Sequence, residues 1–152
     1  MYKRILVPVD GSPTSTRGLD EAMRLAKLTG AAIRLVHAID QLPYAAGLGT
    51  YTFDVFGMLK EGGEKILQEM KARVAAGGID VTTYLSEPVA GRVCDVVIDQ
   101  AKEFGADLIV LGTHGRRGVG RMLVGSDAEQ VLRLATVPVL LVRSPETASG
   151  GA

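Results

Sequence analysis

Short apolar runs rich in β-branched residues alternate with longer segments of helical periodicity along the chain. This alternation constrains the fold strongly, because a strand, a helix and a further parallel strand form a right-handed βαβ unit. The apolar runs occupy residues 5–9, 32–38, 81–85, 108–111 and 137–142. Most are apolar throughout, as expected of strands covered on both faces. The sequence therefore predicts a doubly wound α/β fold, with a five-stranded parallel sheet and helices on both faces.

Four helices are predicted between these strands. Ser12 is a favourable N-cap with Pro13 at the first helical position, and Gly30 is a favourable C-terminal stop for the same helix. Ser126 lies three residues before Glu129, the spacing of a capping box, and is predicted to begin the fourth helix. The remaining two helices are predicted over about 58–76 and 89–104.

Ligands of doubly wound sheets bind beyond the carboxyl ends of the strands, where the strand order reverses. The loop after the fourth strand is the best candidate for such a site, because it has glycines at 112, 115, 118, 120 and 125, followed by Ser126. Glycines allow backbone N–H groups to turn towards phosphoryl oxygens. The loop is not a Walker A motif, since no Gly-Lys-Ser or Gly-Lys-Thr follows. Leu123 stands where the dinucleotide fingerprint requires glycine or alanine.

The remaining pattern is Gly-x-x-Gly, nine residues, then Gly-Ser. Together with Ile-Leu-Val-Pro-Val-Asp-Gly-Ser at 5–12 and Val-Pro-Val-Leu-Leu-Val at 137–142, it closely resembles the universal stress protein family in its ATP-binding branch. The resemblance covers nearly the whole chain and implies a Rossmann-like sheet, for which we expect the strand order 3-2-1-4-5. It also implies that the phosphates of ATP are held by Gly112, Gly115, Gly125 and Ser126.

The same resemblance implies the adenosine half of the site. Pro8, Val9 and Asp10 would lie beside the adenosine, and Ala38 would contact the adenine through its backbone. A carboxylate such as Asp10 can accept from ribose hydroxyls or hold a divalent cation bound to the phosphates, Mg²⁺ or Mn²⁺. Alternatively, Asp10 only shapes the turn into the first helix. The other expected nucleotide-binding residues are Thr113, His114, Arg116, Arg117, Gly118 and Asp127.

Two further residues have structural rather than chemical interpretations. His37 ends the second predicted strand among apolar neighbours and is expected to be a packed histidine whose ring makes one hydrogen bond. Cys94, the only cysteine, is expected to be a small core residue, so the chain has no intrachain disulfide. No base is positioned in the sequence to activate water.

The resemblance implies an ATP-binding protein of stress response, and we expect it to act as a regulatory, nucleotide-dependent switch with at most slow hydrolysis. The alternative is a dimeric protein-interaction or chaperone-like module, with residues 41–57 as a docking surface for an unknown protein and the nucleotide incidental. The family resemblance implies a homodimer through the last strand, from Val137 to Val142. Pro138 fits an edge strand there, because an edge tolerates a missing donor.

Composition limits the remaining classes. The 152 residues are 47% hydrophobic, which suits one domain, expected over 1–143 with a disordered tail over 144–152. Lys and Arg number 17, as do Asp and Glu, so net charge gives no reason to expect a nucleic-acid or membrane partner. The apolar run at 5–9 is too short for a signal peptide or a membrane span, so we expect a cytoplasmic protein.

Overall fold

The structure is a computed structural model that describes residues 1–39, 53–86, 92–113 and 126–144. Strands and helices alternate throughout this part of the chain. In chain order they are β1 (Arg4–Pro8), α1 (Pro13–Thr29), β2 (Ala32–His37), α2 (Phe53–Ala76), β3 (Val81–Leu85), α3 (Val93–Phe104), β4 (Leu108–Thr113), α4 (Ser126–Leu134) and β5 (Val139–Arg143). Within the described ranges, no helix has both the length and the apolar character that crossing a membrane requires.

The five strands form one sheet in the order β3-β2-β1-β4-β5, and every pairing is parallel. The predicted α/β class and strand order are therefore confirmed. β1 is the central strand, with Ile5 opposite Ile33 of β2 on one side and Leu108 of β4 on the other. The chain moves outward from β1 in one direction and from β4 in the other, which makes the gap between these strands the switch point.

The sheet is buried on both faces by separate apolar cores. On one face, Leu19 of α1 and Val74 of α2 pack with Ile5 and other strand residues. On the opposite face, Val97 of α3 and Val131 of α4 pack around Leu6 and its neighbours. Because successive side chains of a strand point to opposite faces, β1 contributes to both cores.

The ends of α1 agree with the sequence prediction. The Ser15 amide donates to Ser12 Oγ over 3.2 Å, as an N-cap requires. At the other end, Gly30 has φ 75°, and its N–H donates to the carbonyl of Ala26 over 2.8 Å. A left-handed residue at this position favours glycine.

Several predicted details were wrong. α2 begins at Phe53 rather than near 58, because the exposed Gly57 is tolerated inside the helix at modest cost. α3 begins at Val93, since Arg92 still has an extended backbone with φ −81° and ψ 151°. Helical periodicity from Ser126 predicts an inward face of Ala128, Val131, Leu132 and Ala135 for the fourth helix, but Leu132 is 41% exposed, because the buried residues of α4 are Ala128 and Val131.

Candidate functional site

A cleft lies beyond the carboxyl ends of β1 and β4, at the switch point of the sheet. The described residues enclose about 270 Å³. Six of the residues predicted from the sequence line this cleft: Pro8, Val9, Asp10, Ala38, Gly112 and Asp127. Residues that are far apart in the sequence therefore meet at one edge of the sheet, as the parallel topology predicts.

Eight further lining residues were not singled out in the sequence as ligand contacts. They come from the ends of the strands and from the first turns or inner faces of the helices: Thr14, Ser15, Val36, Val93, Val97, Leu111, Ala128 and Val131. The helical periodicity of the sequence predicts that Val97 and Val131 face inward. Their place at the cleft depends on how far each helix extends along the sheet, which periodicity does not specify.

Asp10 shapes the turn between β1 and α1. Its Oδ1 accepts from the Ser12 amide over 2.8 Å, and its own amide donates to Ser15 Oγ over 3.3 Å. Desolvation raises the pKa of Asp10, but the hydrogen bonds from Ser12 and Ser15 and the attraction to His37 outweigh it and hold the pKa below its ordinary value. The carboxylate is therefore ionised at neutral pH. The structure thus supplies the turn role, while the ligand role stays a prediction.

The close packing of β4 against α1 leaves room only for glycine at position 112. A Cβ at this position would lie 1.9 Å from the Thr14 carbonyl oxygen and 2.5 Å from its carbonyl carbon. Gly18 of α1 faces the same contact, where a Cβ would lie 2.8 Å from the Gly112 nitrogen. The two backbones therefore touch without side chains between them. Gly112 has this packing role whether or not it also binds phosphate.

His37 and Cys94 occupy the structural roles expected of them. His37 is half-buried, and its Nδ1 lies 2.8 Å from the carbonyl oxygen of Val9. Cys94 is a residue of α3 and is fully buried in the core between the sheet and the helices α3 and α4. Desolvation raises the pKa of its thiol, which disfavours the reactive thiolate.

The remaining sequence predictions for the site have different outcomes. Thr113 is buried and Ser126 is exposed at the start of α4, and neither lines the described part of the cleft. The other predicted nucleotide-binding residues lie outside the described residues: His114, Gly115, Arg116, Arg117, Gly118 and Gly125. Residues 41–52 of the proposed docking segment also lie outside them, as do 145–152 of the expected tail.

The described walls of the cleft are apolar with an acidic rim. Asp10 and Asp127 are the charged residues among the described lining residues, which include no lysine, arginine or histidine. The N-terminal ends of α1 and α4 lie at the same edge and carry partial positive charge. Within the described ranges, no three His, Cys, Asp or Glu residues form a group suited to a metal ion. This arrangement suits a flat apolar ring better than an isolated polyphosphate.

A parallel sheet of order 3-2-1-4-5 with a cleft at its switch point defines a doubly wound α/β protein of the kind whose ligands bind at the carboxyl edge. A sequence model of the universal stress protein family matches residues 1–143. The chain belongs to this family.

Relatives with known names and structures agree with this assignment. A universal stress protein of Methanocaldococcus jannaschii is 32% identical over 147 residues, which cover 96% of this chain and 85% of that protein. YxiE of Bacillus subtilis, another universal stress protein, is 31% identical over 151 residues, which cover 94% of this chain and 100% of that protein.

Solved structures of the family show the same architecture. A member from Burkholderia pseudomallei has a TM-score of 0.75 at 31% identity, covering 94% of this chain and 97% of that one. A universal stress protein solved in complex with cAMP has a TM-score of 0.61 at 27% identity, covering 93% and 97% respectively.

Proposed function

We propose that this protein binds an adenine nucleotide, ATP together with Mg²⁺ or Mn²⁺, in the cleft at the switch point. The observation that carries the proposal is the convergence of Pro8, Val9, Asp10 and Ala38 with Gly112 at one edge of the sheet. The family member in complex with cAMP supports the adenine nucleotide as ligand class.

Each part of the nucleotide has proposed contacts. The backbone of Ala38 binds the adenine over the apolar walls of the cleft, and Asp10 accepts from ribose hydroxyls or holds the divalent cation. Because the described rim is acidic, the charge of the phosphates requires that cation and the basic residues Arg116 or Arg117. The phosphates are bound by Gly112, Gly115, Gly125 and Ser126.

We propose that nucleotide occupancy works as a regulatory switch in stress response, with at most slow hydrolysis. Asp10 is already engaged in hydrogen bonds with the turn into α1, which leaves it poorly suited to activate water. Occupancy instead changes the loops around the cleft, and through them the surface that partners recognise.

Calorimetric titration tests this proposal. Protein freed of copurified nucleotide is titrated with ATP and Mg²⁺, and saturable heat at one site per chain is expected. Mass spectrometry of small molecules released by denaturing the freshly purified protein is expected to find an adenine nucleotide. No heat with ATP and no nucleotide in the released fraction would overturn the proposal.

We further propose a homodimer through β5. This strand lies at the sheet edge, where exposed apolar edges require cover, and its residues 139–142 are only half-buried. Leu132 and Leu134 of α4 are also 41% and 42% exposed. Light scattering coupled to size exclusion at micromolar concentration is expected to give twice the chain mass of 16.0 kDa. A mass of one chain under those conditions would contradict the dimer.

A further inference from the structure

At the end of the β1–β2 ladder, a side chain rather than a backbone amide donates to the last carbonyl of the β1 side. The Val9 amide donates to the Val36 carbonyl over 2.8 Å, which continues the parallel pairing of these strands. In a parallel ladder, the Val9 carbonyl would next accept from the amide of Ala38, two residues beyond Val36. Instead it lies 2.8 Å from Nδ1 of the His37 ring. A carbonyl oxygen can only accept, so this nitrogen carries the proton.

Among the described residues, the backbone donor and acceptor of Ala38 have no partner. Neither its N–H nor its C=O makes a hydrogen bond to any residue within the described ranges. Backbone groups alternate in direction along a strand: the Val36 carbonyl faces β1, and the His37 carbonyl accepts from Ser86 on the β3 side. Both groups of Ala38 therefore face the β1 side, beyond the end of the ladder. This is the side on which Ala38 lines the cleft.

The His37 ring is held in place by α2. A Cβ added at Gly63 would lie 2.6 Å from His37 Cδ2 and 2.7 Å from Leu85 Cδ1, so the ring packs directly against the helix backbone at this position. The preceding residue, Gly62, is different, because a Cβ there would meet nothing within 4 Å. Substitutions at these two neighbouring glycines therefore form a matched pair that tests the contact between the His37 ring and α2.

We propose that His37 is a positioning residue for the adenine subsite. By donating to the Val9 carbonyl, its ring takes the ladder position of the Ala38 amide and leaves the Ala38 N–H and C=O to the ligand. A neighbouring donor and acceptor match the edge of adenine, which presents a ring nitrogen as acceptor beside an amino group as donor. This inference rests on the proposed adenine-nucleotide function. It identifies His37 as the residue that keeps the backbone groups of Ala38 available to the base.

The first test compares His37→Leu with His37→Asn. Leucine retains bulk but lacks a donor, whereas the asparagine amide nitrogen can take the place of Nδ1. Calorimetry with ATP is expected to show about a tenfold loss of affinity for His37→Leu. We expect His37→Asn to stay within about threefold of the wild type, since it keeps the hydrogen bond. Equal affinity in His37→Leu and wild type, or an equal loss in both variants, would overturn the inference.

A second pair of variants avoids changing the histidine. Gly63→Ala displaces the ring and is expected to weaken ATP binding about fivefold, whereas Gly62→Ala leaves it unchanged. Equal effects of the two substitutions on ATP affinity would contradict the proposal that α2 holds the His37 ring in place. These variants also decide the matter if His37→Leu does not fold.

Hydrogen exchange at the Ala38 amide separates this inference from the proposed function, because it needs no nucleotide. In the wild type this amide is expected to exchange rapidly, and in His37→Leu slowly, once it is able to pair with the Val9 carbonyl. Slow exchange in the wild type would refute the positioning role. Rapid exchange in a wild type that binds no adenine nucleotide would instead refute the proposed function alone.

Discussion

Replacing Gly112 with alanine is expected to lower the free energy of unfolding by about 3 kcal/mol, the upper end of the usual range for overpacking. The added Cβ would lie 1.9 Å from the Thr14 carbonyl oxygen, and a backbone atom cannot move aside as a flexible side chain can. Separating α1 from β4 would disturb the core to which both elements contribute. For a chain of this size, thermal unfolding should show Tm falling by at least about 6 °C.

Gly62→Ala is the matched control for this substitution. A Cβ there meets nothing within 4 Å, and position 62 lies inside α2, where alanine is the better helix former. Its expected effect is a gain of about 0.5–1 kcal/mol. If Gly112→Ala left Tm unchanged and only weakened nucleotide binding, the close contact of α1 with β4 would be contradicted.

Leu6→Ala is expected to destabilise the fold by about 3 kcal/mol, within the range for truncating a fully buried leucine. Leu6 is 0% exposed on the central strand β1 and packs with residues of β4, α3 and α4. Its removal leaves a cavity at the junction of the two halves of the sheet. Urea unfolding should show a lower midpoint with an unchanged slope.

Leu28→Ala provides the same chemical change outside the core. Leu28 is 83% exposed on α1, so its truncation should change the free energy of unfolding by less than about 0.5 kcal/mol. Equal losses for the two substitutions would mean that β1 is not the buried centre of the sheet.

The fold could be predicted because local and global signals agree. Short runs rich in apolar and β-branched residues located all five strands, and the cap residues Ser12 and Gly30 located both ends of α1. Errors arose where local signals compete. Gly57 precedes the predicted helix start near 58 but lies within α2, and pairing with β5 extends β4 to Thr113, beyond its apolar run. β5 begins at Val139, after Pro138, rather than at Val137.

The candidate site was predictable only in part, for a physical reason. Strand ends in a parallel sheet meet at one edge, so Asp10 and Gly112 could be brought together from the sequence, whereas Ala38 was implied by the family resemblance. Close contacts between backbones, and between a side-chain ring and a helix backbone, depend on tertiary packing. The 1.9 Å approach at Gly112 and the contact of Gly63 with His37 therefore left no pattern that spacing could detect.

We propose that an adenine nucleotide binds at the switch point between β1 and β4. A titration of isotope-labelled, nucleotide-free protein with ATP and Mg²⁺, followed by amide chemical shifts in NMR spectra, tests this directly. The largest shifts are expected at Val9, Asp10, Ala38, Gly112 and Asp127, which line the cleft. Saturation without shifts at these amides, or with the largest shifts elsewhere on the sheet, would contradict the claim.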